Sequence, residues 1–528
     1  MNMPENKSDS FDLSDLPGRA VRNTPKKTAF AFNDRQHTYQ DVATTVSQLT
    51  LQYRRYFKSN ELVALWLPNC PELLYAYISG FQAGVISMPL HHDYKFPEVK
   101  SILRKSACRH LIVLNNQLDD EILNELDDVE LDQVWGIENG VLHPMLPGMK
   151  ESRANISHVN RPVGPESIGL VLHTSGSTGQ SKGVMISRSS LMHIIQGRIE
   201  CAEIDEHSVA IVASSLVHSV GLYQALAFLS TGSSFVLMQS YEVSCLSHTI
   251  NNIQPTHLIM VVSAFEKLLM HPLIKASSFK NIKFSSVGAD RVTSTVQEKY
   301  YSITGKTLSA SYGMTELSWM IIHNSPDPDI SEALGRPAPG VEIKLLDQEG
   351  NEVKEGEVGE IYARSPKQME GYLNDPDMTQ RSVLDGWVKS GDLALKDVNG
   401  IYWFIGREKD LIVLHSGDTV SPVEIEQEIL KVPGVRGCVV IGMRVQDEYT
   451  HSLSEVPWAF ITHNAAVPES DEILRHLGKR ISDYKLPRKL IFLDHLPEGM
   501  SGKVIREKIR DKWSGSSNNS PELHDLVG

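Results

Sequence analysis

The chain has 528 residues, 41% of them hydrophobic and 22% charged, with a formal net charge of −14 at pH 7. That length exceeds what one hydrophobic core serves, so at least two domains are expected. The acidic balance argues against nucleic acid or an anionic membrane as the main partner, because both demand a net basic face. A small anionic ligand held by a few local cations stays compatible with it.

Five cysteines (Cys70, Cys108, Cys201, Cys245 and Cys438) lie far apart with no Cys-x-x-Cys pair, as expected of thiols in a reducing compartment. The stretch from Met1 to Leu16 lacks a signal-peptide layout, and no apolar run approaches the ~18 residues of a membrane span. The expectation is a cytoplasmic protein with no integral membrane segment, monomer or homodimer.

In chain order, Leu62–Leu67 reads as a buried strand, Leu73–Val85 as a helix and Ile86–Leu90 as the next strand. Phe235–Met238 and His257–Val262 continue the alternation, which implies α/β layering with covered sheets. Near the C-terminus the texture changes. Val439–Ile441, Trp458–Ile461 and Leu490–Leu493 read as short strands, with helices over Val423–Leu430 and Asp471–Ile481. The fold class predicted is α/β: a large multi-subdomain N-terminal domain of layered sheets and helices, plus a small mobile α+β C-terminal domain. The boundaries are 1–406, a hinge at 407–410, a C-terminal domain at 411–513 and a disordered polar tail at 514–528.

The sharpest feature is the run Thr174-Ser175-Gly176-Ser177-Thr178-Gly179-Gln180-Ser181-Lys182-Gly183. Glycines let successive N–H groups turn into one concavity suited to phosphate oxygens, while hydroxyls add donors and Lys182 adds charge. A strand precedes it at Ile168–Leu172 and another follows at Val184–Ile186, with a helix starting near Ser189. The usual NTPase spacing, which opens directly into a helix, is absent because Ser181 stands five residues after Gly176.

This run resembles the phosphate-loop signature of the adenylate-forming superfamily, the group of acyl-CoA synthetases, luciferases and adenylation domains, and specifically its acid–CoA ligase branch. Four further segments match that family in order, within a resemblance spanning about Tyr39 to Arg510. Ser311-Tyr312-Gly313-Met314-Thr315-Glu316 matches Y-G-x-T-E; Lys389-Ser390-Gly391-Asp392 resembles T-G-D; Gly406-Arg407-Glu408-Lys409-Asp410 resembles the hinge. Leu496-Pro497-Glu498-Gly499-Met500-Ser501-Gly502-Lys503 looks like the catalytic-lysine motif. Each string alone reads more simply as a core tyrosine, a turn or a surface lysine; their order carries the resemblance.

The resemblance implies ATP, Mg²⁺ and coenzyme A as cofactors and a carboxylic acid as substrate. Thr174, Ser175, Gly176, Ser177, Thr178, Gly179 and Lys182 would cradle phosphates. Tyr312 would stack on adenine beside Gly288, Ala289 and Gly313; Thr315 would donate to the α-phosphate and Glu316 would hold the metal. Asp392 and Arg407 would bind the ribose, Lys409 would be the pivot, and Lys503 would neutralise charge at the acid and α-phosphate. Gly417 would let the pantetheine arm of CoA pass.

The acid pocket implied lies near His218 and Gly221, with Asp290 beside Arg291 at its mouth. No acidic residue adjoins His218, which disfavours an α-amino acid, and the long hinge from Lys409 to Gly417 points weakly toward fatty acids. His173, Ser215, Ser263 and Arg188 depart from the family's usual residues, and His91-His92-Asp93 reads as a loop. The expected activity is acid activation to acyl-AMP followed by transfer to CoA. Loading of an acyl carrier protein or release of acyl-AMP is the alternative, and an inactive binding protein the third reading.

Overall fold

A computed structural model describes residues 12–118, 126, 129–146, 163–175, 181–288, 292, 294–317, 321–324, 333–414, 419–446, 453–464, 469–498 and 504–513. The chain falls into two compact units. Met1–Glu332, Pro337–Glu342 and Ala363–Val388 form the first, and Ala333–Arg336, Ile343–Tyr362 and Lys389–Gly528 the second. The hinge expected at 407–410 lies inside the second unit.

Two sheets build the first unit. In chain order the strands are β1 (Thr28–Phe32), β2 (Arg35–Thr38), β3 (Leu62–Trp66), β4 (Ile86–Leu90), β5 (His110–Leu114), β6 (Gln133–Glu138) and β7 (Val141–Pro144). They continue with β8 (Ile168–Ser175), β9 (Ser181–Ser187), β10 (Val209–Val212), β11 (Ser234–Leu237), β12 (His257–Val261), β13 (Phe284–Gly288), β14 (Ser309–Tyr312) and β15 (Ile322–Asn324). One sheet runs β15-β14-β13-β12-β10-β11-β1-β2 and the other β9-β8-β4-β3-β5-β6-β7.

Continuous apolar runs such as Leu62–Trp66 become parallel strands because both of their faces are covered. One apolar cluster joins β1, β10 and β11 of the first sheet to β3 and β8 of the second through the helices Tyr39–Tyr56, Pro71–Ala83, Arg188–Ala202 and Ser219–Thr231. The helix expected over Leu73–Val85 runs instead from Pro71 to Ala83. Pro71 sits at the first turn, where its missing N–H costs nothing, and Gly84 takes the left-handed conformation (φ 74°) that stops the helix.

Strands β10 to β14 are mutually parallel, so Val212, Leu237, Val261, Gly288 and Tyr312 end at one edge. In sheets of this kind ligands bind beyond the carboxyl ends of the strands.

In the second unit the strand Trp387–Lys396 pairs with Tyr402–Arg407 from Asp392 onward, which sets Asp392 opposite Arg407. Beyond them, Val435–Gln446 pairs antiparallel with Leu453–His463, and Lys489–Leu493 adds in parallel. Helices Pro422–Ile429 and Ser470–Leu477 bury Ile425, Ile429, Ile473 and Leu477 against Val440, Ala459 and Ile461. The latter helix ends at Leu477, short of the expected Ile481, with Gly478 as its cap residue. The tail at 514–528 lies outside the described residues. Among the described residues no helix is long and apolar enough to cross a membrane.

One largely buried ion cluster around Glu426, with Arg506 and Asp410 half-buried, ties this second unit together. Arg506 meets Glu426 at 2.7 Å and Asp410 at 3.6 Å and donates to the Val440 carbonyl, while Glu426 accepts the Val440 N–H at 2.7 Å. Removing one partner of such a cluster leaves a buried charge uncompensated. Arg506→Ala is therefore expected to cost about 2–3 kcal/mol in chemical denaturation, at or below the low end for a fully buried pair, concentrated in the transition of the second unit.

Candidate active site

Strands β8 and β9 form the hairpin that carries the glycine-rich run, with Thr174 opposite Lys182 and Ser175 opposite Ser181. The turn is flanked by strands, as its sequence predicts, and the following helix starts at Arg188 with Ser187 as its cap. Gly176, Ser177, Thr178 and Gly179 lie outside the described residues.

Lys182 leaves this hairpin toward Tyr372. Its Nζ stands 5.5 Å from the Tyr372 ring centroid and 3.8 Å from the Met378 sulfur. Tyr372 is brought there by a short strand, Gly371–Tyr372, that adds to β9 with Gly371 opposite Met185 and Tyr372 opposite Val184. Gly183 makes the approach possible, because a Cβ there would stand 3.2 Å from the Leu373 Cβ, and its carbonyl accepts the Leu373 N–H at 2.7 Å. Gly371, at φ 141°, has no room for a Cβ either, since one would lie 2.8 Å from the Thr379 methyl.

The Tyr372 hydroxyl donates to Glu316 Oε1 at 2.9 Å. Burial, then the adjacent Glu316 carboxylate, push this phenol far above its ordinary pKa, so it stays a donor. Glu316 is itself buried, and its backbone carbonyl accepts the Met369 N–H. Its second carboxylate oxygen makes no hydrogen bond among the described residues. The lysine of the glycine-rich run and the carboxylate of the Y-G-x-T-E string are thus two sides of one tyrosine.

Gly288 and Tyr312 end neighbouring strands, with Gly288 opposite Ser311. A Cβ on Gly288 would stand 3.0 Å from Ser311 Oγ. Gly313 and Thr315 follow in the turn and short helix Thr315–Leu317, half-buried. His218 precedes the helix Ser219–Thr231 and lies 5.5 Å from the His91 ring. Gly221 lets that helix press on the Ser214 and Ser215 carbonyls, since a Cβ would come within 2.5 Å of both. Ala289 and Asp290 lie outside the described residues. His91, His92 and Asp93 stand in a loop with ligand atoms within 4.8 Å of one another, and Asp93 pairs with His92 at 3.2 Å and His91 at 3.8 Å.

In the second unit Asp392 is buried, 3.3 Å from Arg407 Nε. The turn before it is fixed by Gly391 (φ 74°), whose N–H donates to Glu360, and by Lys389 bridging Glu360 at 3.1 Å and Glu408 at 3.4 Å. Lys409 is exposed. Gly417 and Lys503 lie outside the described residues. Arg188, a departure noted from sequence, is occupied in the fold: it donates to the Phe81 carbonyl and to Ser14. Tyr372 escapes sequence reasoning, since only its flanking Gly371 hints at a constrained neighbour.

A family model described as AMP-binding enzyme matches residues 18–373, and one described as AMP-binding enzyme C-terminal domain matches 424–503. The chain belongs to the AMP-binding enzyme family. Within the adenylate-forming superfamily it falls in the acyl-CoA synthetase branch, with a large N-terminal α/β domain and a smaller C-terminal one, and it is an acid-activating ligase of the AMP-forming class. It is 26% identical over 511 residues to a feruloyl-CoA synthase of an Amycolatopsis species, covering 95% of this chain and 99% of that one. It is also 26% identical over 501 residues to a long-chain-fatty-acid–CoA ligase of Salmonella typhimurium strain LT2, covering 89% of this chain and 88% of the relative. Among solved structures it resembles ATP-bound MatB from Rhodopseudomonas palustris, with a TM-score of 0.84, 23% identity and coverage of 96% of this chain and 100% of the other.

His173, beside the loop and opposite Gly183, carries a pH dependence. Burial pushes its imidazole down to about 4, against ~6.5 in an unfolded chain. The unfolded state therefore takes the proton first on acidification. The stabilisation is whole above pH ~6.5 and is lost as the pH falls toward about 4. Denaturation midpoints of His173→Phe should fall less steeply than wild type across that window. The limb is flattened rather than abolished, because burial lowers His37, His91, His257 and His323 as well.

Proposed function

We propose that the protein is an acid–CoA ligase: it joins a carboxylic acid to AMP with release of pyrophosphate, then passes the acyl group to the thiol of coenzyme A. The observation that supports this reading is the chain of contacts Lys182–Tyr372–Glu316, which sets on one aromatic ring the cation we assign to phosphate and the carboxylate we assign to a metal.

An acid anion must attack the α-phosphorus of ATP, itself surrounded by anionic oxygens, so the site has to supply positive charge and donors. Lys182 serves the outer phosphates, Thr315 the α-phosphate, and Lys503 the charge that develops between acid and phosphorus. Glu316 fits Mg²⁺: one oxygen is fixed by Tyr372, and the other, unbonded among the described residues, is a donor of the kind a hard cation takes. Bound there, the ion would neutralise phosphate charge. Asp392 accepts and Arg407 donates, a complementary pair for a ribose diol.

In the first half-reaction a carboxylate oxygen bonds to the α-phosphorus and the bond to the β-phosphate oxygen breaks. In the second the thiolate sulfur bonds to the acyl carbon and AMP leaves. The names of the feruloyl and long-chain-fatty-acid relatives support CoA as acceptor. They do not agree on one acid.

Pyrophosphate release from ATP should require an added acid and fall by more than about 100-fold in Lys503→Ala. Asp392→Ala should mainly raise KM for ATP, and Tyr372→Phe should lower kcat about tenfold by freeing Glu316. Thioester should form with free CoA. Formation only on a carrier protein, or none with any acid, would overturn the assignment.

A further inference from the structure

The turn that leaves the carboxyl end of β4 gathers three side chains that acid activation does not use. His91, His92 and Asp93 follow Leu90 directly. The His91 carbonyl accepts the Tyr94 N–H at 3.0 Å, which closes a turn over the three. The Trp66 indole N–H, at the end of neighbouring β3, donates to the same carbonyl at 3.1 Å. Two hydrogen bonds thus fix this backbone before any ligand arrives, which lowers the ordering cost of binding.

His91 is buried, and its ring stacks on that of His92 with centroids 4.9 Å apart and planes 23° from parallel. The Asp93 carboxylate closes on both rings, with Oδ1 3.2 Å from His92 Nε2 and Oδ2 3.8 Å from His91 Nδ1. One ligand atom from each of the three residues lies within 4.8 Å of the other two. A zinc-like ion holds imidazole nitrogen at about 2.0–2.1 Å and carboxylate oxygen at about 2.0–2.2 Å, so its ligand atoms stand roughly 3.4 Å apart in a tetrahedron. The two measured separations straddle that spacing, and side-chain rotation closes what remains.

A simple ion pair accounts for this arrangement poorly. Among the described residues Asp93 pairs with no lysine or arginine, and its only charged neighbours are the two imidazoles. Ordinary imidazoles are mostly neutral above pH ~6.5, where such a pairing fades. The Asp93 N–H approaches His91 Nδ1 at 3.3 Å, and an N–H needs an acceptor, so this nitrogen turns a lone pair rather than a proton toward Asp93. A lone pair and a carboxylate oxygen on one side are joined favourably by a cation, for which that long contact would be exchanged. His92 Nδ1 is buried without a hydrogen bond, so Asp93 is the only polar partner of that ring among the described residues.

Two imidazoles and one carboxylate suit zinc and its neighbours in the first transition row, whereas Mg²⁺ prefers oxygen ligands in an octahedron. No fourth side chain joins the group among the described residues, which is the open form of a three-ligand site with water in the remaining position. We propose that His91, His92 and Asp93 bind one divalent transition-metal ion of the zinc class, separate from the Mg²⁺ assigned to Glu316. Bound there, the ion braces the turn against the end of β3. This inference does not depend on the acid-activation reading, which stands or falls separately.

The test uses full-length protein without a histidine tag and without ATP, titrated with Zn²⁺ in a calorimeter and with Co²⁺ by its visible absorption. One ion per chain should bind, and a hundredfold excess of Mg²⁺ should not displace it. His92→Ala and Asp93→Ala, changes at positions open enough to leave the core intact, should each weaken binding about tenfold or more. His207→Ala, at an exposed histidine elsewhere on the surface, should leave it unchanged. Zinc should raise the melting temperature of wild type and of His207→Ala but not of the two ligand variants. Absence of saturable binding, or binding that either ligand variant retains within about threefold, would overturn the proposal. Equal weakening in His207→Ala would overturn it too, because the ion would then be held by surface histidines at large.

Discussion

The addition of Gly371–Tyr372 to β9 is the contact on which the candidate site turns. It is a pairing of only two residues, yet it joins segments nearly 200 positions apart and sets one aromatic ring between Lys182 and Glu316. The ring gives the ammonium a face that attracts a cation without neutralising it. Its hydroxyl holds the carboxylate by a hydrogen bond to one oxygen, and the other makes none among the described residues. A carboxylate in place of this tyrosine would have formed an ion pair with Lys182 and withdrawn it from phosphate. A small aliphatic would have left Glu316 unpositioned.

Two glycines make that pairing possible, and each answers a specific distance. Gly183 admits Leu373, and Gly371 turns the chain against Thr379. The same economy recurs at Gly288 against Ser311 and at Gly221 against the Ser214 and Ser215 carbonyls. At both positions the absence of a side chain lets neighbouring backbone segments close on one another.

Much of this was legible in the sequence because it is local. Continuous apolar runs announced β3 and β4, and the strand on each side of the glycine-rich run followed from residues adjacent to it. Motif order gave the family, since each string is short but their succession is hard to reach by chance. The long-range features were not legible. Tyr372 lies in a Gly-Tyr-Leu string that reads as an ordinary strand start, and its partners are fixed only by sheet pairing. Arg188 misled in the opposite sense: a departure from the family's residue suggested the acid pocket, but its hydrogen bonds tie the helix start to Phe81 and Ser14. The helix end at Ala83 was missed by two residues because apolar periodicity continues past Gly84, whose left-handed backbone stops the helix.

The central claim is that an acid oxygen attacks the α-phosphorus of ATP. Turnover of an accepted acid labelled with ¹⁸O in its carboxyl group tests this most directly, with mass analysis of the nucleotide and phosphate products. Attack at the α-phosphorus followed by loss of AMP to a thiol places one labelled oxygen in AMP and none in pyrophosphate. Label found in inorganic phosphate, with ADP as the nucleotide product, would mean attack at the γ-phosphorus and would contradict the account.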